Sequence, residues 1–477
     1  MRNSPCYATL LDMWMRAVCW VAVLGVAPLW GAPAPSPSDW VPARWQWNDA
    51  KSLELLADNP INCLLLKNYS AELVSAAAAR GLVTLAVVTP GSDALAVTRK
   101  ALAAKLTGVV LEGDFPADIA AAIREAAGSA PVIELTSRSH MKLGSGAAII
   151  GTYQGVWPGV VVQQAGHAKS GPTGSVWIDT NTGFIRAVRA WGDTPLWLAN
   201  EPPAHTVITS QRYLQVIADA QASGARWVIS LDSDLAAKLA KRDADAIRDW
   251  QRIGQLTAHF ERHPEWRHMN EYGKLALVQD PAKGGLLSGG ILDMIAVKHT
   301  PVRPIPREHL TAQSLQGATM AVNVDAEALT PEQKEILRNF TRGGGMLMTG
   351  PPGWKDPTPK GEKITLDPPE LERLNDIWKD VNSMVGRRNL GVRLFNVSSM
   401  LSNVLVSADG KSEVVHLVNY SDYPVENVTL HYLGDYKHAT LITPEGVEKV
   451  LEVYRADEGW GVDVDKVSVC ATIRLEL

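Results

Sequence analysis

Gly108-Val-Val-Leu-Glu-Gly-Asp114 is a short apolar run that ends in two acidic residues. The same pattern recurs along the first 235 residues, where acidic side chains lie in or directly after further apolar runs: Glu134, Asp179, Glu201, Asp232 and Asp234. In a parallel β/α arrangement the carboxyl ends of all strands open on one face. We therefore expect carboxylates that are far apart in the sequence to meet in one cleft.

Apolar, β-branched runs alternate with helix-like stretches from about residue 45 to residue 270. The run at 61–66 precedes a helix-like stretch at 71–80, and the run at 83–88 precedes another at 93–106. Such alternation indicates right-handed β-α-β units and a parallel sheet. About eight strand signals over roughly 220 residues favour an α/β fold that begins with a (β/α)₈ barrel of the TIM type.

The remainder of the chain predicts two further domains. Strand-like runs at 274–280, 301–305 and 318–324 and a helix-like stretch at 331–341 indicate a second α/β unit. Later runs are short and alternating, and Asp409-Gly410 between two of them is a hairpin signal, which predicts a small antiparallel β-sandwich. The predicted domains are a catalytic barrel over 40–270, an α/β domain with its connector over 273–400, and a β-sandwich over 401–477.

The first 34 residues have the composition of an export signal. Arg16 precedes the apolar run at 17–30, and Ala32-Pro33-Ala34 supplies small residues for cleavage. The run is too short and too interrupted by proline for a permanent membrane span. We expect a secreted protein, periplasmic or extracellular, that has no membrane span once the signal peptide is removed.

The composition excludes some partners. A net charge of -5 argues against a nucleic-acid-binding face. His259 and His263 lack the glutamate of the zinc-protease pattern, so neither a metal site nor another cofactor is expected. The chain has 16 Trp against 5 Phe. Trp suits stacking on sugar rings, although a place in a hydrophobic core is the alternative interpretation.

Glu112 and Glu134 are the leading catalytic candidates because they lie at the ends of neighbouring predicted strands, the third and the fourth. Cleavage of a glycosidic bond needs two carboxyl groups about 5–10 Å apart, one as acid and one as base or nucleophile. The alternative is a salt bridge at the barrel rim, for instance with Arg138. Asp179 and Asp232 are reserve catalytic candidates, and capping of the following helix is the alternative for each.

Two loop-like segments are expected to contact substrate. Tyr153-Gln-Gly-Val-Trp-Pro158 and Trp177-Ile-Asp-Thr-Asn181 combine aromatic faces with hydrogen-bonding side chains. The predicted substrate-binding residues are Trp157, Trp177, Asn181, Gln154, Arg138 and Glu201. Asn200-Glu201-Pro202 looks like the acid/base motif of the large retaining (β/α)₈ glycosidase clan. That motif ends the fourth strand, whereas Glu201 follows the seventh predicted strand, and three-residue motifs also arise by chance.

As a whole, the chain resembles secreted bacterial glycoside-hydrolase-like proteins. In these a (β/α)₈ barrel precedes a flavodoxin-like, glutamine-amidotransferase-like domain and a β-sandwich, the layout of β-galactosidases with a trimerisation domain. The resemblance is carried by Gly108–Asp114, Trp177–Asn181, Ala225-Arg-Trp-Val-Ile-Ser-Leu-Asp232, Asn339-Phe-Thr-Arg-Gly-Gly-Gly-Met-Leu-Met348 and His416-Leu-Val-Asn-Tyr420.

The resemblance implies an exported glycoside hydrolase with a carbohydrate substrate and carboxylate acid/base catalysis, and it allows assembly into a homo-oligomer. The nucleophilic Cys of amidotransferases has no counterpart, because no Cys lies between Cys63 and Cys470. The alternative function is a non-catalytic carbohydrate-binding or scaffold protein on a degenerate glycosidase barrel, which the fold alone does not distinguish from an enzyme.

Overall fold

The structure is a computed structural model of the 477-residue chain. It describes residues 35–162, 168–170, 179–280, 299–324, 328–349, 364, 368–386, 391–397, 399–457 and 459–477. Within these ranges no helix is both long and apolar enough to span a membrane.

The first ten strands are β1 (Pro42–Arg44), β2 (Cys63–Leu66), β3 (Val83–Val88), β4 (Gly108–Glu112), β5 (Val132–Thr136), β6 (Ile150–Thr152), β7 (Val160–Val162), β8 (Ala168–Ser170), β9 (Leu196–Leu198) and β10 (Arg226–Trp227). Eight of them form one parallel sheet in the order β1-β2-β3-β4-β5-β6-β9-β10, and β7 pairs with β8 in a separate hairpin.

This eight-stranded sheet closes into a barrel. The Arg44 N–H donates to the Ile229 carbonyl at 2.8 Å, and the Ile229 N–H donates to the Pro42 carbonyl at 3.1 Å, which joins the first strand to the segment after the last. The helices around it are α1 (Ala71–Ala79), α2 (Ala94–Ala103), α3 (Ala117–Ala127), α4 (Thr182–Arg189), α5 (Ser210–Ala222), α6 (Ser233–Ala240) and α7 (Ala244–Glu261). The predicted α/β barrel is therefore confirmed.

The strand count needs one correction. The hydrophobic pattern of the sequence does not predict β1, because three residues are too few for a periodic signal. The strand predicted around Val176 lies outside the described residues, and β6 pairs directly with β9. With β1 included, Glu112 ends the fourth strand of the barrel and Glu134 lies in the fifth.

A second parallel sheet has the order β13-β12-β14-β15 and consists of β12 (Leu275–Gln279), β13 (Val302–Pro306), β14 (Met320–Asn323) and β15 (Met346–Thr349). The short strand β11 (Asn270–Glu271) precedes it in the chain and belongs to another sheet. Helices α8 (Pro331–Arg342) and α9 (Pro368–Val385) flank it. Leu374 and Val381 of α9 pack with Leu275 and Val322 in one buried cluster. An amidotransferase-like identity for this unit stays a prediction.

The remaining strands are antiparallel: β16 (Val392–Phe395), β17 (Met400–Val406), β18 (Ser412–Asn419), β19 (Val425–Tyr432), β20 (His438–Ile442), β21 (Glu448–Leu451), β22 (Tyr454–Ala456), β23 (Gly459–Val467) and β24 (Cys470–Glu476). They form a six-stranded sheet, β11-β17-β18-β24-β20-β21, and a four-stranded sheet, β16-β19-β23-β22. Val404 and Val415 of the first sheet share a buried apolar cluster with Leu430 and Val462 of the second. Fold class is thus as predicted: α/β with C-terminal antiparallel sheets.

The six-stranded sheet also packs on the barrel. Leu401 and Val418 belong to the same buried cluster as Leu214 and Ile217 of α5. Full burial of such side chains stabilises by about 1.5–3 kcal/mol each. The barrel helix α5 is therefore fixed against the C-terminal part of the chain.

Candidate active site

An open cleft of about 370 Å³ lies at the carboxyl ends of the barrel strands. It is lined by residues that follow β1, β2, β9 and β10, among them Arg44, Lys67, Glu201, His205 and Asp232. Because parallel strands open on one face, these segments meet although they are far apart in the sequence. This is the face on which the sequence predicts a cleft.

Arg44, the last residue of β1, lines the cleft. Its side chain is buried, and its Nη1 donates to Glu112 Oε2 at 2.9 Å while its Nη2 donates to Glu112 Oε1 and, at 2.7 Å, to the Ala199 carbonyl. The same Nη1 lies 3.2 Å from Glu201 Oε1. A guanidinium presents its donors in a rigid plane, so one Arg can hold two carboxylates at once.

Two carboxylates therefore lie close together on Arg44: Glu201 lines the cleft, whereas Glu112 is not among the lining residues. Because Glu112 Oε2 and Glu201 Oε1 contact the same nitrogen at 2.9 and 3.2 Å, these two oxygens are at most about 6 Å apart. The Glu201 side chain is 45% exposed and the Glu112 side chain 14%. This spacing suits carboxylate pairs that cleave glycosidic bonds.

Glu201 is held in its ionised form. Partial burial acts to raise its pKa, but the hydrogen bond from Lys67 Nζ at 2.6 Å and the charges of Arg44 and Lys67 outweigh it and lower the pKa below its ordinary value. An ionised, half-exposed carboxylate can act as a base or a nucleophile.

Glu134 does not reach this cleft. Ile133 and Leu135 on either side of it belong to the cluster inside the barrel, so the pleat turns Glu134 to the outside. There it pairs with Arg124 of α3 and, at 3.6 Å, with Lys142. The structure thus does not bring together the predicted pair Glu112 and Glu134, and it places Glu112 beside Glu201.

Asp232 lines the cleft but uses both oxygens to organise the fold. Oδ1 caps α6 by accepting from the N–H groups of Asp234 at 2.9 Å and Leu235 at 3.1 Å. Oδ2 accepts from the Ile208 N–H at 3.1 Å and from the Tyr213 hydroxyl at 2.8 Å. These contacts agree with the alternative interpretation of Asp232, in which its side chain caps the helix that follows.

The other acidic candidates lie elsewhere. Asp179 is exposed ahead of α4, and the lining of the cleft does not include it. Asp114 accepts hydrogen bonds from the backbone N–H of Ser137 at 2.9 Å and from its hydroxyl at 2.7 Å. Trp177 lies outside the described residues.

Three of the predicted sugar contacts, Trp157, Arg138 and Asn181, are buried. Trp157 is packed edge-on against Tyr213 and Trp227, with ring centroids 5.5 and 5.1 Å away. Arg138 is also buried; its backbone N–H donates to the side-chain carbonyl of Gln154 at 2.8 Å, and its guanidinium lies 3.9 Å over the Phe184 ring.

Asn181 is fully buried as well. Its amide group donates to the Val156 carbonyl and accepts from the Val156 N–H, at 2.9 and 2.8 Å. In this arrangement Trp157, Arg138 and Asn181 shape the loop that follows β6. Among the described residues, no group of three His, Cys, Asp or Glu is placed to hold a metal ion.

Arg44 and Lys67 are two cationic cleft residues that the sequence predictions omitted. Each is a cation that directly ends or follows an apolar strand, β1 and β2 respectively. Basic residues therefore occur at strand ends as acidic residues do, and this position in the sequence is the signal that identifies Arg44 and Lys67.

Solved structures of similar fold are found, whereas no protein-family model and no curated protein sequence matches the chain. The α-L-fucosidase isoenzyme 2 from Paenibacillus thiaminolyticus is similar with a TM-score of 0.60 and 11% identity, over 93% of this chain and 98% of that chain. The β-galactosidase from Rahnella sp. R3 is similar with a TM-score of 0.53 and 9% identity, over 93% of this chain and 100% of that chain. At such identities the likeness is one of fold.

Proposed function

We propose that the protein is a glycoside hydrolase whose carboxylate pair is Glu201 and Glu112. The observation that carries this function is the pair of carboxylates on one guanidinium, of which Glu201 and the guanidinium of Arg44 line the open cleft of a barrel. The names of the similar structures, a fucosidase and a β-galactosidase, support a carbohydrate substrate.

Glu201 is the ionised carboxylate that attacks the sugar or activates water, because Lys67 and Arg44 keep it charged. Glu112 is the second carboxyl group: once bound substrate displaces Arg44 from it, Glu112 takes up a proton from water and donates that proton to the leaving-group oxygen, which departs as an alcohol. Two oxygens at most about 6 Å apart are compatible with the roughly 5–5.5 Å between the carboxyl groups of retaining enzymes. Retention of anomeric configuration is therefore the expected outcome.

The test is turnover of a panel of aryl glycosides, including α-L-fucosides and β-D-galactosides, and of oligosaccharides. Glu201→Gln and Glu112→Gln keep the shape of each side chain, and each should lower kcat by at least about 100-fold. Glu134→Gln serves as the matched variant outside the barrel and should stay within about twofold of wild type. If wild type is active and neither cleft variant lowers the rate by more than about tenfold, this carboxylate pair is wrong.

A non-catalytic carbohydrate-binding protein is the second candidate function. It is favoured by the two hydrogen bonds that tie both Glu112 oxygens to buried Arg44, which neutralise one of the two carboxylates. Calorimetric titration with the same sugars distinguishes the two. Binding that weakens in Glu201→Gln, without turnover of any bound sugar by wild type, supports the second candidate and contradicts the first.

We also propose that residues 1–34 direct export. The apolar run at 17–30 and the small residues at 32–34 support it. Fusion of this segment to a reporter enzyme should carry the reporter out of the cytoplasm, and N-terminal sequencing should place cleavage near residue 34. A reporter that remains uncleaved in the cytoplasm contradicts this proposal.

A further inference from the structure

We propose that Tyr420, in the C-terminal part of the chain, positions Glu201 through a continuous chain of hydrogen bonds that runs through Asp219, Asn181 and the loop at 155–157. The catalytic consequence rests on the proposed role of Glu201. Tyr420 touches neither the cleft nor any reacting atom and is therefore a positioning residue.

The first link joins the C-terminal sheet to barrel helix α5. The Tyr420 hydroxyl donates to Asp219 Oδ1 at 2.6 Å, and the Thr182 hydroxyl donates to the same oxygen at 2.9 Å. Asp219 is fully buried. Burial raises the pKa of Asp219 above its ordinary value, against the opposing effect of its hydrogen bonds. A buried carboxyl group that loses a donor is costly, so each of its partners is held firmly.

Tyr420 itself is fixed in place by neighbouring contacts. Gln215 of α5 donates to the carbonyls of Asn419 at 3.0 Å and Ser421 at 2.8 Å, one residue on either side of Tyr420. Arg212 donates to the Tyr420 carbonyl at 3.1 Å and pairs with Asp422. The loop that carries the Tyr420 ring is therefore docked on α5 by its backbone, and the position of the ring follows the sheet.

The second link passes from Asp219 to Asn181 and then to the loop after β6. Asp219 Oδ2 accepts from both the backbone N–H and the side-chain amide of Asn181, each at 2.9 Å. The Asn181 amide group then bonds both the N–H and the carbonyl of Val156, at 2.8 and 2.9 Å. A side-chain amide that bonds both the N–H and the carbonyl of one residue holds the backbone of that residue in place, in the same way as a hydrogen-bonded residue on a neighbouring antiparallel strand does.

The last link reaches the segment that carries Glu201. The Asn200 side chain donates to the Gly155 carbonyl at 2.6 Å, and the Trp157 indole donates to the Glu201 carbonyl at 3.1 Å. Gly155 allows this close approach, because a Cβ there would lie 2.9 Å from the Trp227 ring and 3.1 Å from Asn200. The loop at 155–157 is thus hydrogen-bonded to the Asn200 side chain through Gly155 and to the Glu201 backbone through Trp157, on either side of Val156.

Replacement of one hydroxyl tests this chain. Tyr420→Phe removes the donor to Asp219 and keeps the ring. Tyr432→Phe is the matched control, because Tyr432 is equally buried in the C-terminal sheets and its hydroxyl bonds only the Tyr436 carbonyl at 3.0 Å within that region. We expect kcat on the best aryl glycoside to fall about tenfold in Tyr420→Phe with KM within about twofold, since small misplacements of a reacting group act on kcat. Tyr432→Phe should leave both constants within about twofold of wild type.

Hydrogen exchange provides a readout that does not depend on turnover. Amides at 154–157, 200–201 and 204–206 should exchange at least about fivefold faster in Tyr420→Phe than in wild type, and at the wild-type rate in Tyr432→Phe. Unchanged exchange in Tyr420→Phe, or equal acceleration in both variants, overturns the hydrogen-bond chain. If exchange responds as expected while wild type turns over no glycoside, the chain of contacts stands and the proposed function has failed. If exchange responds but kcat of an active enzyme does not, the positioning role is overturned.

Discussion

Arg44 is the residue on which the cleft depends most, and its replacement should be strongly destabilising. Arg44→Met fills a similar volume but removes a buried cation that bonds both oxygens of Glu112 and the Ala199 carbonyl. Glu112, only 14% exposed, is then left without its counter-charge. Loss of one partner of a buried pair costs about 3–5 kcal/mol.

The magnitude follows from burial rather than from the number of ion pairs. Lys67→Met is the matched comparison, because Lys67 and Glu201 are 55% and 45% exposed. Exposed pairs contribute about 0–1 kcal/mol, so this variant should stay close to wild type in stability. Arg44→Met combined with Glu112→Leu removes both charges and should recover most of the loss, because apolar replacement of a whole buried pair is often neutral.

Equilibrium urea unfolding, followed by tryptophan fluorescence, measures these free energies of unfolding. The cycle of Arg44→Met, Glu112→Leu and the double variant should give a coupling energy of at least about 2 kcal/mol. The reasoning is refuted if Arg44→Met loses less than about 1 kcal/mol, or if the double variant loses as much as the sum of the single ones.

Two other predictions concern stability. Stability should decrease as pH falls from about 6.5 toward 3, because burial lowers the pKa of His259 and His416 to about 3, so only the unfolded chain binds these protons in that range. The two histidines together contribute up to about 2.7 kcal/mol per pH unit to the slope of the free energy of unfolding against pH. Urea unfolding at several pH values should show that His259→Phe removes about half of this contribution, and an unchanged slope contradicts the prediction. Asp232→Ala removes the cap of α6 and the acceptor of the Tyr213 hydroxyl and should lower the free energy of unfolding by about 2–4 kcal/mol. Asp234→Ala, which loses an exposed pair with Lys238, should lower it by about 1 kcal/mol or less, and equal losses in the two variants contradict a capping role.

The candidate site was only partly predictable because of how a barrel buries its strands. Both faces of a parallel strand are covered, so the strand is a continuous apolar run without the alternation that would show which residues point inward. Glu112 and Glu134 therefore look equivalent in the sequence. In the structure Glu112 has the inward direction of Val110, whereas Glu134 lies between inward Ile133 and Leu135 and faces outward.

Asn181 and Trp157 illustrate a related difficulty. Each combines chemical groups that suit a sugar, and each lies in a loop beside the cleft. The structure uses these groups for internal contacts: the Asn181 amide bonds Val156 and Asp219, and the Trp157 indole bonds the Glu201 carbonyl. A side chain with polar atoms does not reveal in the sequence whether its partner is a ligand or the backbone of the protein.

The sequence by itself determined the α/β class, the barrel and the antiparallel sheets at the C-terminus, because these follow from hydrophobic periodicity and turn signals over a few neighbouring residues. It also located acidic residues at strand ends. Only the tertiary structure decided which of them meet, since Arg44, Glu112 and Glu201 come together from three distant parts of the chain. That choice depends on the direction of each side chain on its strand and on barrel closure through the three-residue β1, neither of which leaves a local pattern.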